Sequence, residues 1–241
     1  MSVATGVVLV TGSVRGLGLA TAREFAKRKF RVYLTWRGSE ALAAQVEAEF
    51  PGRVRRVDLL DGQATRALVA DIVRTEGRLD HVVQCVGEYL SVPLSKTSSA
   101  QVTHMWRSNV ETSMNLFEAA RPALRESRGT AVFLGCAGLE GLRARSSVAA
   151  YAAAKSALCV LVRSWALEEG PLGVRVNMVS PGIIPHEHAD EETHDAELQS
   201  SIPLGGPGTP EDIAQACVWL SSDQAAHITG TNLPVTGGWQ G

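Results

Sequence analysis

The sequence predicts an α/β fold: one open, doubly wound parallel sheet with helices on both faces. Three observations predict it. Short apolar runs alternate with longer helical stretches along the whole chain. The runs are continuously apolar, as strands buried on both faces are. No Ser- or Pro-rich linker, internal repeat or low-complexity tract divides the 241 residues, so they read as one domain, 1–241. Strands that alternate with helices give parallel strands joined by right-handed crossovers.

The elements follow in order. Residues 6–11 (GVVLVT) form the first expected strand. Residues 17–29 form a helix, with Leu17, Ala20, Ala22, Phe25 and Ala26 at helical spacing. Strand 31–36 and helix 40–50 come next, and Pro51-Gly52 then breaks the chain. Strand 54–59, helix 64–76 and strand 80–85 complete the first half. Apolar periodicity sets long helices at 100–126 and 148–169. Further strands are expected at 130–134, 174–179 and near 232–236.

Composition narrows the function classes. The chain is 45% hydrophobic and 20% charged, with a formal net charge of −2. That balance excludes a disordered chain. It also gives no basic field for nucleic acid or an anionic membrane. No apolar run is long enough to cross a bilayer. The opening residues MSVATG do not read as a secretory signal. Cys85, Cys136, Cys159 and Cys217 are widely spaced, which argues against a disulfide scaffold or a zinc site. A cytoplasmic protein with reduced thiols is expected.

Thr11-Gly12-Ser13-Val14-Arg15-Gly16-Leu17-Gly18 joins the first strand to the first helix. Glycines there let the backbone turn tightly and approach a pyrophosphate, which the helix N-terminus attracts. The second strand should point at the adenosine ribose. It ends Thr35-Trp36-Arg37-Gly38-Ser39, with no acid before Glu40. Arg37 and Arg15 therefore suit a 2′-phosphate, and NADP(H) is the expected cofactor. Tyr151-Ala152-Ala153-Ala154-Lys155 sets a tyrosine and a lysine one helical turn apart. An ammonium beside a phenol lowers the phenol pKa, which makes Tyr151 a candidate general acid/base.

Residues 183–209 carry His186, His188 and His194 among six acids. The stretch reads as a solvated substrate-lid loop with a short helix rather than a metal cluster.

Together these motifs resemble the short-chain dehydrogenase/reductase family over essentially the whole chain. Gly12, Gly16 and Gly18 match its glycine turn, with Ser13, Arg15 and Leu17 between them. Asp58-Leu59 matches the pair that meets adenine, and Asn109 the helix asparagine of the proton relay. Tyr151 and Lys155 match the catalytic pair. Pro181 and Gly182, with Ile184 after them, match the segment beside the nicotinamide. The C-terminal third, from Ile202-Pro203-Leu204-Gly205 to Gly237-Gly238, resembles the 3-oxoacyl-carrier-protein reductase branch.

The resemblance implies a Rossmann-like sheet of strand order 3-2-1-4-5-6-7. It implies hydride transfer between nicotinamide and a carbonyl or secondary alcohol. Tyr151 would protonate the forming alkoxide, Lys155 would bond the nicotinamide ribose, and Asn109 would relay protons. The partner is a small-molecule carbonyl or alcohol, free or carrier-protein-bound, with no nucleic acid and no membrane. A homo-oligomer, tetramer or dimer, is expected through the two long helices, where Ala149, Ala150, Ala152, Ala153, Ala154 and Ala157 allow close packing.

Three departures stand out. The family's Asn-Asn-Ala-Gly after the fourth strand reads Gln84-Cys85-Val86-Gly87. The serine that bonds the substrate carbonyl is absent. Counting back from Tyr151 places Gly138 there, whereas anchoring on the fifth strand places Cys136 there, and the strand anchor is preferred. His186 stands where a threonine often bonds the carboxamide. Two alternatives follow: a 3-oxoacyl-carrier-protein reductase, for which Arg121, Arg125 and Arg128 would meet an acidic carrier, and a weakly active NADP(H)-binding sensor.

Overall fold

In the computed structural model, residues 6–141, 143–185 and 200–240 are described. Their strands form one parallel sheet in the order β3-β2-β1-β4-β5-β6-β7. The chain starts at the centre with β1 (Val7–Thr11), passes α1 (Gly16–Lys27), and moves outward through β2 (Arg31–Trp36). α2 (Glu40–Glu49) leads to the edge strand β3 (Val54–Arg56). After α3 (Gly62–Glu76) it crosses back to β4 (His81–Gln84) on the other side of β1. It then runs outward through β5 (Thr130–Leu134), β6 (Arg175–Pro181) and β7 (Asn232–Val235). The reversal between β1 and β4 opens a crevice at the carboxyl ends of the strands, where ligands bind in such sheets.

Alternation along the strands explains the two helical layers. Val7 and Leu9 face one side of the sheet with Leu116, Phe117 and Leu158. Val8 and Val10 face the other with Phe25, Val46 and Ile213. Both faces are apolar because both are covered, so the strands read as unbroken apolar runs.

The sequence places β2 and β5 at their observed bounds. It overextends the third strand to 54–59, because β3 pairs with β2 only from Val54 to Arg56. The expected helix 100–126 is three pieces. α4 (Ser99–Trp106) opens on a capping box between Ser98 and Gln101. A wide π turn (Arg107–Glu111) follows, then α5 (Thr112–Ser127). α6 (Ala149–Glu169) matches expectation. Ala150, Ala152 and Ala154 are buried in the protein's own core rather than offered to a partner. α7 (Pro210–Ser221), which no helix in the sequence reading anticipates, starts on a capping box between Thr209 and Asp212 with Pro210 in its first turn. Residues 186–199 of the expected lid, with His186, His188 and His194, lie outside the described residues.

At the opposite end of the sheet from the crevice, His81 lies between Phe25 and Phe30, with Nδ1 2.8 Å from Thr130 Oγ1. Burial pushes its pKa from 6.5 to about 4, the Asp80 charge opposing and Arg175 and Arg78 assisting. The folded state therefore prefers the neutral ring. Its contribution is complete above pH 6.5 and is lost as pH falls to about 4, up to about 3 kcal/mol. Urea unfolding at pH 7 and pH 4.5 should show a smaller acid loss in His81→Gln than in the parent. Equal losses would remove His81 from the acid response.

Candidate active site

The glycine turn is built for close approach. Gly12 and Gly16 have φ of +61° and +55°, left-handed values that disfavour side chains. Gly18 serves packing: a Cβ there would overlap Gly12 O and lie 2.8 Å from Ser13 Cα. Thr35 braces the turn, accepting from Gly12 N at 3.0 Å on Oγ1. Ser13 is fully buried; its hydroxyl donates to Val10 O at 2.6 Å and accepts from Thr35 N at 3.1 Å. The Ser13 side chain is thus committed to the loop's shape and turned away from the crevice. Arg15 is the exposed N-cap of α1, and Leu17 is half-buried in its first turn.

At the far end of β2, Arg37 is exposed between two acids, 3.7 Å from Asp58 and 3.5 Å from Glu88. Arg56, which sequence reasoning passed over, adds a second cation. Its Nε donates to Arg37 O at 3.3 Å, and its guanidinium lies 5.3 Å over the Trp36 ring. Asp58 is exposed and its Oδ1 accepts from Leu60 N at 3.0 Å. Leu59 is not a surface contact: it is buried in the core with Val57 and Leu68.

The altered motif after β4 keeps its structural function through a different residue. Thr11 Oγ1 donates to Gln84 Oε1, and Cys85 N donates back to Thr11 Oγ1 at 3.3 Å. Gln84 Nε2 reaches Thr112 Oγ1 and Ser113 Oγ, both at 3.4 Å. A single amide therefore ties β1, β4 and α5 together. Burial pushes the Cys85 thiol up to about 12, against the Lys155 charge and a Thr21 hydrogen bond. Cys85 is a neutral filler there. Val86 Cγ2 would meet a Cβ on Gly12 at 2.9 Å. A Cβ on Gly87 would overlap Asn109 Oδ1 and lie 3.1 Å from Lys155 Nζ.

The same fold brings the expected catalytic residues together. Asn109 sits in the π turn, a feature found often at functional sites. Its Nδ2 donates to Glu88 O and Met105 O, both at 3.0 Å. Its buried Oδ1 has no hydrogen-bond partner among the described residues. Lys155 is buried, and its Nζ donates to Leu134 O at 2.7 Å at the end of β5. Burial lowers its pKa to about 8, with the Cys136 and Cys85 thiols opposing. Nζ lies 5.7 Å from the Tyr151 ring centroid. Burial raises the Tyr151 pKa, as do Cys136 and Tyr89 nearby. Tyr89, missed from sequence, meets Tyr151 edge-on with centroids 5.1 Å apart. Cys136 is half-buried, its thiol raised chiefly by burial and lowered by Lys155 and Arg145.

Cys136 is therefore near enough to Tyr151 and Lys155 to act on both electrostatically. Gly138 instead turns toward Arg143, Arg145 and Gln240 O. On the opposite flank, Gly182 N donates to Val235 O at 3.0 Å, and a Cβ on Gly182 would lie 2.7 Å from Thr236 Cα. Pro181 ends β6 and Ile184 is buried. Cys159 and Cys217 are buried, as core residues should be. Two of the arginines considered for a carrier are occupied. Arg125 forks onto buried Glu169 at 2.7 Å through Nε and Nη2, and Arg121 lies 3.8 Å away.

These residues fit a dinucleotide. Side chains are excluded at Gly12, Gly18 and Gly87, the α1 N-terminus faces the turn, and Asn109 Oδ1 is an orphaned buried acceptor.

A family model described as enoyl-(acyl carrier protein) reductase matches residues 12–240. The L-fucose dehydrogenase of Bos taurus is 35% identical over 242 residues, covering 96% of this chain and 88% of its own length. The L-rhamnose 1-dehydrogenase (NAD(P)(+)) of Azotobacter vinelandii is 32% identical over 254 residues, covering 96% and 95%. Among solved structures, a blue fluorescent protein from a metagenomic library in complex with NADPH is 28% identical with a TM-score of 0.86, covering 98% of each chain. The fold and these relatives define a nicotinamide-using oxidoreductase. The chain belongs to the short-chain dehydrogenase/reductase family. No helix among the described residues is long and apolar enough to cross a membrane.

Proposed function

We propose that the protein is an NADP(H)-dependent carbonyl reductase, or alcohol dehydrogenase in reverse, with Tyr151 as general acid/base. One observation carries the reading: Asn109 and Lys155 meet beside Gly87, the Tyr151 ring lies next to Lys155, and the Cys136 thiol acts electrostatically on both Tyr151 and Lys155. Gly12, Gly16 and Gly18 would admit the pyrophosphate. Arg15, Arg37 and Arg56 would meet the 2′-phosphate. Val86, Gly87, Pro181, Gly182 and Ile184 would flank the nicotinamide. The bound cofactor supplies or accepts the hydride, and the protein supplies position and a proton.

Tyr151 keeps its proton across neutral pH, which suits an acid in the reductive direction. With a pKa of about 8, Lys155 is mostly charged at pH 7, where it orients the ribose and steadies the phenolate left behind. Asn109 holds the relay end open at the π turn. Cys136 stands in the carbonyl-binding place, where a thiol is a weak donor.

The test is NADPH oxidation with a panel of ketones, aldehydes and sugars, repeated with NADH. Turnover with NADPH preferred is the expected result. A preference for NADH overturns the reading of the arginines. Tight NADPH binding with no turnover on any carbonyl favours the sensor. Cys136→Ser should raise kcat, with about 10²-fold as the ceiling for a restored donor. A lower kcat would remove Cys136 from the carbonyl site. The assembly is a homo-oligomer on this reading. Val160 and Leu167 of α6 are 61% and 81% exposed, with Trp106 of α4 and Met114 of α5 also exposed. A monomeric mass by light scattering overturns it.

A further inference from the structure

We propose that Arg143 and Arg145 form an oxyanion subsite beside the reaction centre, and that the preferred carbonyl substrate carries a carboxylate or phosphate. The inference rests on the carbonyl-reductase reading above and narrows its substrate class.

The two arginines lie in the loop between β5 and α6. Gly138 has φ of +74°, and a Cβ there would overlap Nη2 of both Arg143 and Arg145. The two guanidinium groups therefore converge over one glycine despite their like charge. Arg145 is fixed from behind, its Nη2 donating to Ala137 O and Gly138 O, both at 2.9 Å. Arg143 is exposed, with no hydrogen bond or ion pair among the described residues. No described carboxylate lies within ion-pair distance of either head. Glu140, the nearby acid, accepts instead from Asn232 Nδ2 at 3.3 Å.

Arg143 opens on a groove of about 840 Å³, lined also by Gly138, Glu140, Leu204, Thr236 and Trp239, with Arg145 behind it. Two links connect the groove to the reaction centre. Cys136 is two residues upstream of Gly138 and feels the Arg145 charge. Thr236 packs on Gly182, beside the expected nicotinamide position. A carboxylate or phosphate takes paired N–H donors from a guanidinium fork. A substrate with its carbonyl at Tyr151 and an anionic head on Arg143 would lie along this groove. Trp239 gives its chain an apolar wall.

The experiment compares kcat/KM with NADPH for acetoacetate, levulinate and 5-oxohexanoate against their methyl esters, and for dihydroxyacetone phosphate against dihydroxyacetone. At least one charged member should exceed its neutral partner by about ten- to a hundredfold, mostly through KM. Which pair shows it separates a carboxylate from a phosphate head. Arg143→Ala should bring that ratio toward one, and Arg143→Lys should recover part of it, with NADPH binding confirming the fold. Equal turnover of charged and neutral members overturns the proposal, as does an Arg143→Ala ratio equal to the parent's. If no carbonyl is turned over, neutral members included, the reductase reading fails on its own. The subsite is then judged by titrating levulinate and inorganic phosphate calorimetrically in the presence of NADP⁺. Binding lost in Arg143→Ala supports it, and no binding by the parent overturns it.

Discussion

Tyr151→Phe should lower kcat for carbonyl reduction by about 10²–10⁴-fold, the range for a positioned general acid. The substitution removes one oxygen and keeps the ring. Its edge-on contact with Tyr89 and its place over Lys155 should survive. NADPH affinity should therefore stay near the parent value, because the lost hydroxyl serves the reacting oxygen. NADPH oxidation read beside a fluorescence titration of NADPH separates the two quantities. An unchanged kcat would take the proton-donor role away from Tyr151. A loss of cofactor binding equal to the loss of rate would make the residue structural instead.

Gly18→Val should weaken NADPH binding by more than about a hundredfold, which corresponds to about 3 kcal/mol. A Cβ at this position meets backbone on every near side: Gly12 O, Ser13 Cα, and Gly12 C at 3.0 Å. None of these can rotate away as a flexible side chain would. Relief requires α1 to lift from the turn, which widens the loop that must sit against a pyrophosphate. Gly170→Val is the control, since nothing lies within 4 Å of a Cβ there. NADPH affinity within a few-fold of the parent in Gly18→Val would show that the turn tolerates a side chain and that its glycine is incidental.

Much of the fold was legible because burial writes itself into composition. β2 and β5 are apolar on both faces, so their runs mark their ends. β3 misled because pairing stops at Arg56 while the apolar pattern continues into Val57 and Leu59, which pack in the core outside the sheet. The start of α7 was readable from Thr209, Pro210 and Asp212, a capping signal that needs no tertiary knowledge.

The site was legible where one segment holds it, as with the glycine turn and the Tyr-Lys pair. It was hidden where distant segments meet. Gln84 can bridge Thr11 and α5 only because β1 and β4 pair with Thr11 opposite Gln84. Arg37, Asp58 and Glu88 converge from three loops. The direction of Cys136 and Gly138 follows from the left-handed backbone at Gly138, which residue counting does not reveal.

The wide turn at Arg107–Glu111 gives this helix a phase offset. Each α-helical residue advances the face by about 100°. Winding the same residues as plain α-helix, with none removed, would swing α4 by about that angle relative to α5. Met105, now buried, would rotate out of the core, while Leu116 and Phe117 held their places. The single extra residue works like a vernier between two packed segments. It lets Asn109 be aimed at the crevice independently of the helices on either side.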